Sequence, residues 1–430
     1  MRAAIEHLPV IVAGAQVAGA ALLGGGEKLA GPLDVGVPVV GGATPLDALT
    51  AGLERFRPDL VYDLSDEPVV DARLRLRLAS QALVAGVAYV GADFRFDPPP
   101  RPRIATKPTI AVIGTGKRTG KTAVSAHLAR SLAEPPVVVA MGRGGPPDPE
   151  LIDPATFDLT PAGLVALAAT GRHAASDHLE DALTAGVVTV GTRRCGGGLA
   201  GAPVDSTFAA GVELANARPE RLMVLEGSGS AVPPVHADVT ICVVPATADP
   251  ELVTGYLGAY RLLLADLVVV TMADQGPGPL PERIRRLAAG AGLVETVLRP
   301  TPLAPVAGRR VFYVTTAPAA VGATLRAHLE AAHGATVTGA SHNLARRQEL
   351  AADLKTLGGA DVVLVELKAA GVDMVAAAAL KAGVDVVFCD NRVVTTGGDG
   401  PFEDLVQQSA SLAAERFRNG IERPSAGMQP

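Results

Sequence analysis

The chain has 430 residues, 48% of them hydrophobic, with 38 basic residues against 44 acidic ones and a formal charge of −6. That length suggests roughly three globular domains, with ample apolar material for buried cores. The acidic balance and only 3% aromatics argue against a general nucleic-acid binder, and 3 cysteines without a CxxC pair indicate neither a disulfide framework nor a zinc site, as suits a reducing cytoplasm.

Residues 1–96 alternate β-rich and helical runs, with strands expected at 10–13, 37–40, 60–63 and 88–90 and a helix at 16–23. The uncharged run 8–26 reads as structure rather than as a signal peptide or membrane span, because its glycines and Gln16 dilute it and Glu6 and His7 replace a basic leader. Pro38 confines the second strand to an edge. Glu6 and His7 precede the first strand, and Asp63-Leu64-Ser65-Asp66-Glu67-Pro68 follows the third, where ligands sit in open parallel sheets. Ser65 and Asp66 would serve equally well as helix caps. The proline- and arginine-rich stretch 97–108 reads as a linker.

A second domain, 109–300, opens with an apolar strand at 109–113, then Gly114-Thr115-Gly116-Lys117-Arg118-Thr119-Gly120-Lys121-Thr122, then an amphipathic helix at 122–132. Such a strand-to-helix turn points backbone N–H groups at a polyphosphate and sets the anion at a helix N-terminus. Lys121 would reach the β- and γ-phosphates of a nucleotide and the Thr122 hydroxyl would hold Mg²⁺. Strict spacing asks for glycine at 115 and finds Thr115.

Further strands are expected at 137–141, 187–191, 221–225, 239–244 and 267–272. The first ends in Gly142-Arg143-Gly144-Gly145, a second anion site or a plain glycine turn. The next runs into Arg193-Arg194-Cys195-Gly196-Gly197-Gly198, whose guanidinium forks and glycine-freed donors suit an oxyanion cradle; solvated surface arginines are the alternative. Glu226, at the tip of the third, is the expected acidic partner of a nucleotide-bound Mg²⁺. Asp274 stands where a nucleoside contact or a plain surface carboxylate is equally expected.

Residues 301–430 repeat the α/β spacing, with strands at 310–314, near 337, 362–367 and 384–389, helices at 321–333, 344–357 and 375–382, and a final helix with a polar tail at 421–430. Glu366, Lys368, Asp373, Asp390 and Asn391 lie at or beyond strand ends. The expected architecture is α/β and multi-domain: a central P-loop NTPase domain with a mostly parallel sheet, flanked by smaller N- and C-terminal α/β domains.

The loop at 114–122 together with Glu226-Gly227-Ser228-Gly229 resembles the nucleotide site of dethiobiotin synthetase. More specifically, the chain resembles the cyclic 2,3-diphosphoglycerate synthetase family over nearly its whole length. The resemblance is carried by Glu6-His7, Asp63 to Pro68 as written above, Gly91-Ala92-Asp93-Phe94, the 114–122 loop, Met141-Gly142-Arg143-Gly144-Gly145-Pro146, Arg193-Arg194-Cys195-Gly196-Gly197-Gly198 and Glu226-Gly227-Ser228-Gly229. Ala3-Ala4-Ile5 stands where the family pattern has Asp-Gly before Glu6.

Such a family implies ATP- and Mg²⁺-dependent closure of a phosphoanhydride in 2,3-diphosphoglycerate, releasing ADP and phosphate. Lys121 and Mg²⁺ are then expected at the γ-phosphate and Lys117 or Arg118 at the charge developing in transfer. Arg143, Arg193, Arg194 and Gly196 to Gly198 are expected at the substrate phosphates, with Glu6, His7 and Asp66 as further substrate candidates. A cytoplasmic homodimer, with neither nucleic acid nor membrane as partner, completes the expectation. Two alternatives keep the loop: a related ATP-dependent ligase or kinase on another anionic small molecule, or a nucleotide-switch ATPase that binds a protein partner.

Overall fold

The computed structural model describes residues 2–24, 34–172, 176–357, 359–367 and 371–422. Two compact units emerge, one of Met1–Pro100 with Ala248–Leu264 and Glu282–Ala289, the other of Arg101–Thr247, Ala265–Pro281 and Gly290–Pro430.

In the first unit, Pro45–Phe56 is a helix because Thr44 and Asp47 form a reciprocal capping box and Pro45 sits in its first turn. Leu60–Tyr62 and Ala88–Val90 pair in parallel, and Arg95–Phe96 adds an antiparallel edge. Asp63, just past the first of these strands, accepts hydrogen bonds from Arg75 at 2.8 Å and Tyr89 at 2.9 Å, and also from Ser65. Val39–Val40 pairs with Ala20–Ala21, with Pro38 just before it.

The expected strand at 10–13 and helix at 16–23 are corrected. Arg2–Ile11 is helical, burying Ile5 and Leu8 at i, i+3 spacing, and the only regular structure in the 16–23 stretch is the strand pair of Ala20–Ala21. Alanine and glycine there carry no apolar periodicity, so pairing with Val39–Val40 outweighs helix propensity. Gly25 and Gly26 of that run, and 423–430 of the expected tail, lie outside the described residues.

The second unit is organised by one large sheet. Its strand order is Asp205–Ser206, Thr189–Cys195, Val137–Gly142, Met223–Glu226, Thr109–Gly114, Val239–Pro245, Leu267–Thr271, Gly292–Pro302, Asp385–Gly398, Val362–Glu366, Arg310–Val314 and Thr336–Ser341. From Thr189–Cys195 to Gly292–Pro302 every pairing is parallel. Gly292–Pro302 and Asp385–Gly398 then run antiparallel, with a bulge between Glu295 and Thr296, and the last four strands are again mutually parallel. The segments expected as a P-loop core and a C-terminal domain therefore share one continuous sheet.

Thr109–Gly114 is buried along its whole length, as a strand covered on both faces must be. Its Ile110 and Val112 pack with Val124, Leu128, Val224, Ile241 and Val269, each contributing roughly 1.5–3 kcal/mol by burial. Residues expected as linker are pinned here: Lys107 donates to the carbonyls of Ala215 and Arg218, and Arg103 pairs with Asp238 at 3.2 Å. Among the described residues no helix is long and apolar enough to cross a membrane.

Candidate active site

Parallel strands bring their carboxyl ends to one edge, and the loops that follow Gly114, Gly142, Cys195, Glu226 and Thr271 therefore gather there. Glycine at 114 lets the loop fold back on itself, because a Cβ there would lie 2.8 Å from Thr119 Oγ1 and 2.9 Å from Lys121 Cδ and would displace those side chains. Gly120, at φ 89°, opens the helix Lys121–Ser131 in the left-handed region that glycine adopts without strain. Thr271 Oγ1 donates to Thr119 O at 2.7 Å and the Thr115 amide donates to Val243 O at 3.2 Å, so two neighbouring strands hold the loop in place. Lys121 is 9% exposed and its ammonium curls over the loop to donate to Gly116 O at 3.1 Å. Lys117 and Arg118 are exposed, Arg118 at φ 59°.

At the floor of the loop, Glu226 lies against Asp181 from the helix Asp177–Ala185, and both are almost wholly buried. Among the described residues neither carboxylate has a well-formed hydrogen bond, although the Thr122 hydroxyl and Lys121 stand close to Glu226. Burial pushes Glu226 up to about 7, while Asp181, Lys121 and the Thr122 hydroxyl hold it down. Burial likewise carries Asp181 well above the usual carboxylate range, and Glu226 adds to it. Two buried carboxylates side by side are costly when both are ionised, and a bound cation offsets that cost. Among the described residues no cluster of three or more acidic, His or Cys side chains is arranged to hold a metal. Asp181, Glu226 and Thr122 fit Mg²⁺, which takes few protein ligands and fills its octahedron with phosphate and water oxygens.

Asp181 escaped the sequence reading. Its signal is there: Asp177 and Asp181 stand at i, i+4, a like-charge pair that a helix face tolerates best beside a cation.

The two adjacent arginines belong to strand, not to the expected loop, because Thr189–Cys195 runs two residues past Arg193. Period-two alternation sends them to opposite faces. Arg193 is exposed and its Nε donates to Gly145 O at 2.8 Å. Gly145 is itself locked, since a Cβ there would meet Thr192 O at 2.0 Å. Arg194 is 5% exposed; its Nη2 donates to Ser228 O at 2.9 Å and its Nη1 to Gly196 O. Burial, then the nearby Arg143, lower its pKa, and Asp177 raises it. Arg143 and Gly196 to Gly198 are exposed on the rim.

Asp274 forms an ion pair with Arg299 at 2.7 Å. Glu366 accepts hydrogen bonds from Tyr313, Thr315 and Thr316, Asp373 pairs with Arg347, and buried Asp390 bridges Arg130 at 3.1 Å and Arg392 at 2.9 Å. These side chains hold the sheet and helices together. Lys368 lies outside the described residues. In the first unit, Glu6 pairs with Arg2 on an exposed helix face, His7 is exposed beside it, and Asp66 is exposed in the loop after Leu60–Tyr62.

A parallel sheet, a glycine-framed loop at its edge and a lysine folded over that loop define a P-loop nucleotide-binding protein. The family model described as the P-loop domain of cyclic 2,3-diphosphoglycerate synthetase matches residues 109–293, with the N-terminal domain model matching 1–97 and the C-terminal one 302–392. The cyclic 2,3-diphosphoglycerate synthetase of Rubrobacter xylanophilus is 44% identical over 434 residues, covering 96% of this chain and 97% of that one. Those of Thermococcus gammatolerans and Methanothermus fervidus are 45% and 39% identical, covering 96% of this chain and 97% and 93% of theirs. The chain belongs to the cyclic 2,3-diphosphoglycerate synthetase family.

Proposed function

We propose that the chain closes an intramolecular phosphoanhydride in 2,3-diphosphoglycerate, using ATP and releasing ADP and phosphate. The observation that carries this reading is Lys121 beside a buried carboxylate pair at the edge of the sheet where Lys117, Arg143 and Arg193 also lie, Arg193 held to the turn after Arg143 through Gly145 O. A phosphate monoester is a poor electrophile, so the γ-phosphoryl group first passes to one substrate phosphate and ADP leaves. An oxygen of the second phosphate then attacks the inner phosphorus of that pyrophosphoryl group, and inorganic phosphate departs with the electrons of the broken P–O bond. Both nucleophiles are already ionised near neutral pH, so the protein's tasks are positioning and charge stabilisation.

In this reading Lys121 holds the γ-phosphate, Lys117 or Arg118 meets the charge that develops in transfer, and Arg143 with Arg193 gathers the substrate phosphates, Gly196 to Gly198 lending backbone donors. Thr122 and Glu226, with Asp181, would hold Mg²⁺, which neutralises phosphate charge when bound. Asp274 remains a nucleoside candidate, acting through its pair with Arg299. Glu6, His7 and Asp66 remain substrate candidates on the first unit. A cytoplasmic homodimer belongs to the same reading, and sedimentation measures the subunit count.

The test is ADP release with 2,3-diphosphoglycerate against 2-phosphoglycerate and 3-phosphoglycerate. Stimulation by the diphosphorylated acid alone supports the reading; equal stimulation by a monophosphate turns it toward a kinase.

A further inference from the structure

The adjacent arginines differ in what surrounds them, and the difference assigns them different work. Arg193 keeps an exposed guanidinium anchored through Nε alone, whereas buried Arg194 spends a hydrogen of each terminal nitrogen on a main-chain carbonyl. Those carbonyls lie on different loops: Gly196 belongs to the turn after strand Thr189–Cys195, and Ser228 to the turn after Glu226. We infer that Arg194 is a positioning residue that ties these two turns together and thereby fixes Lys117 of the phosphate loop against Gly229.

The link to Lys117 is steric. Gly229 sits at φ 58°, and a Cβ there would lie 3.3 Å from Arg194 Nη2 and 3.6 Å from Lys117 Cγ, so the arginine head and the lysine stem bound the same glycine. Apart from Arg194, the Ser228 turn is held by the Gly227 amide donating to Val112 O and the Ala231 amide to Ser228 O, and its far end meets the other turn through the Val232 amide donating to Gly201 O at 2.9 Å, three residues or more from the carbonyls that Arg194 binds. Without the guanidinium, the Ser228 carbonyl loses its cross-loop tie and the wall behind Lys117 is free to shift. Lysine does not replace it like for like, because its shorter side chain presents a single nitrogen where the planar fork offers two, set apart toward the two carbonyls. The assignment rests on the phosphoryl-transfer reading for its kinetic consequence and on geometry alone for the tie.

The experiment combines hydrogen exchange of the substrate-free protein with steady-state kinetics for wild type, Arg194→Lys, Arg194→Gln and Arg193→Lys. Arg194→Lys should raise exchange in peptides spanning 195–204 and 226–232 while strand 310–314 stays protected, and should lower kcat by about tenfold or more with the KM for 2,3-diphosphoglycerate within about twofold. Arg194→Gln, which keeps one donor nitrogen on a shorter side chain, should show the same pattern. Arg193→Lys should raise KM and leave exchange unchanged. A rise in KM for Arg194→Lys with exchange and kcat intact would make Arg194 a substrate ligand and overturn the inference, as would unchanged exchange in both turns. If wild type makes no cyclic product the functional reading fails, yet the exchange arm still decides whether the tie exists.

Discussion

Replacing Glu226 by glutamine should stabilise the metal-free protein at alkaline pH, although it alters a wholly buried residue at the centre of the site. Burial holds this carboxyl at about 7 in the fold against an ordinary value of 4.5. Between those values the folded state keeps a proton that the unfolded chain has lost, so stability from this group is complete below 4.5 and is lost as pH rises through about 7. The displacement corresponds to about 3 kcal/mol at 25 °C.

Urea denaturation of wild type and Glu226→Gln, in chelator, at about pH 5 and about pH 8 reads the effect of the pair, because titrating groups other than Asp181 cancel in the difference. The glutamine protein should gain relative to wild type by about 2–3 kcal/mol on moving to the higher pH. Added Mg²⁺ and nucleotide should then stabilise wild type far more than they stabilise Glu226→Gln, since a bound cation supplies the charge the pair lacks. A glutamine protein that is less stable than wild type by the same margin at both pH values would refute the reasoning and make Glu226 an ordinary buried carboxyl.

Asp181→Asn should follow the same sign, measured in the same urea titrations, because burial and Glu226 both raise Asp181. Lys121→Ala should lower kcat by roughly a hundredfold or more, measured under saturating substrate; retained turnover would remove the phosphate-loop assignment. Asp390→Ala strips the buried acid from half-buried Arg130 and should cost about 1–3 kcal/mol in urea denaturation.

The phosphate loop was legible because its signal is local: glycine spacing, Gly120-Lys121-Thr122 and an apolar strand ahead of it lie in one stretch of fourteen or so residues. Glu226 was legible for the same reason, as an acid at the tip of a buried strand. Asp181 was not, since only the packing of its helix against the sheet brings it to Glu226. The arginine pair was assigned to a loop and belongs to a strand. The glycines that follow suggested a loop, but pairing with Val137–Gly142 and with Asp205–Ser206 extends the strand through Cys195 and turns Arg194 inward.

The continuous sheet was equally hidden. It depends on the antiparallel pair Gly292–Pro302 and Asp385–Gly398, whose partners are about ninety residues apart in sequence. At the N-terminus, alanine and glycine offered no period to read, and strand pairing decided the outcome.

The central claim is tested most directly by ³¹P NMR of the purified protein with Mg-ATP and 2,3-diphosphoglycerate. The account predicts an upfield pyrophosphate-type signal from a new compound, growing in step with ADP and inorganic phosphate. Consumption of ATP without that signal would contradict it, leaving the fold and the nucleotide loop in place and the cyclisation without support.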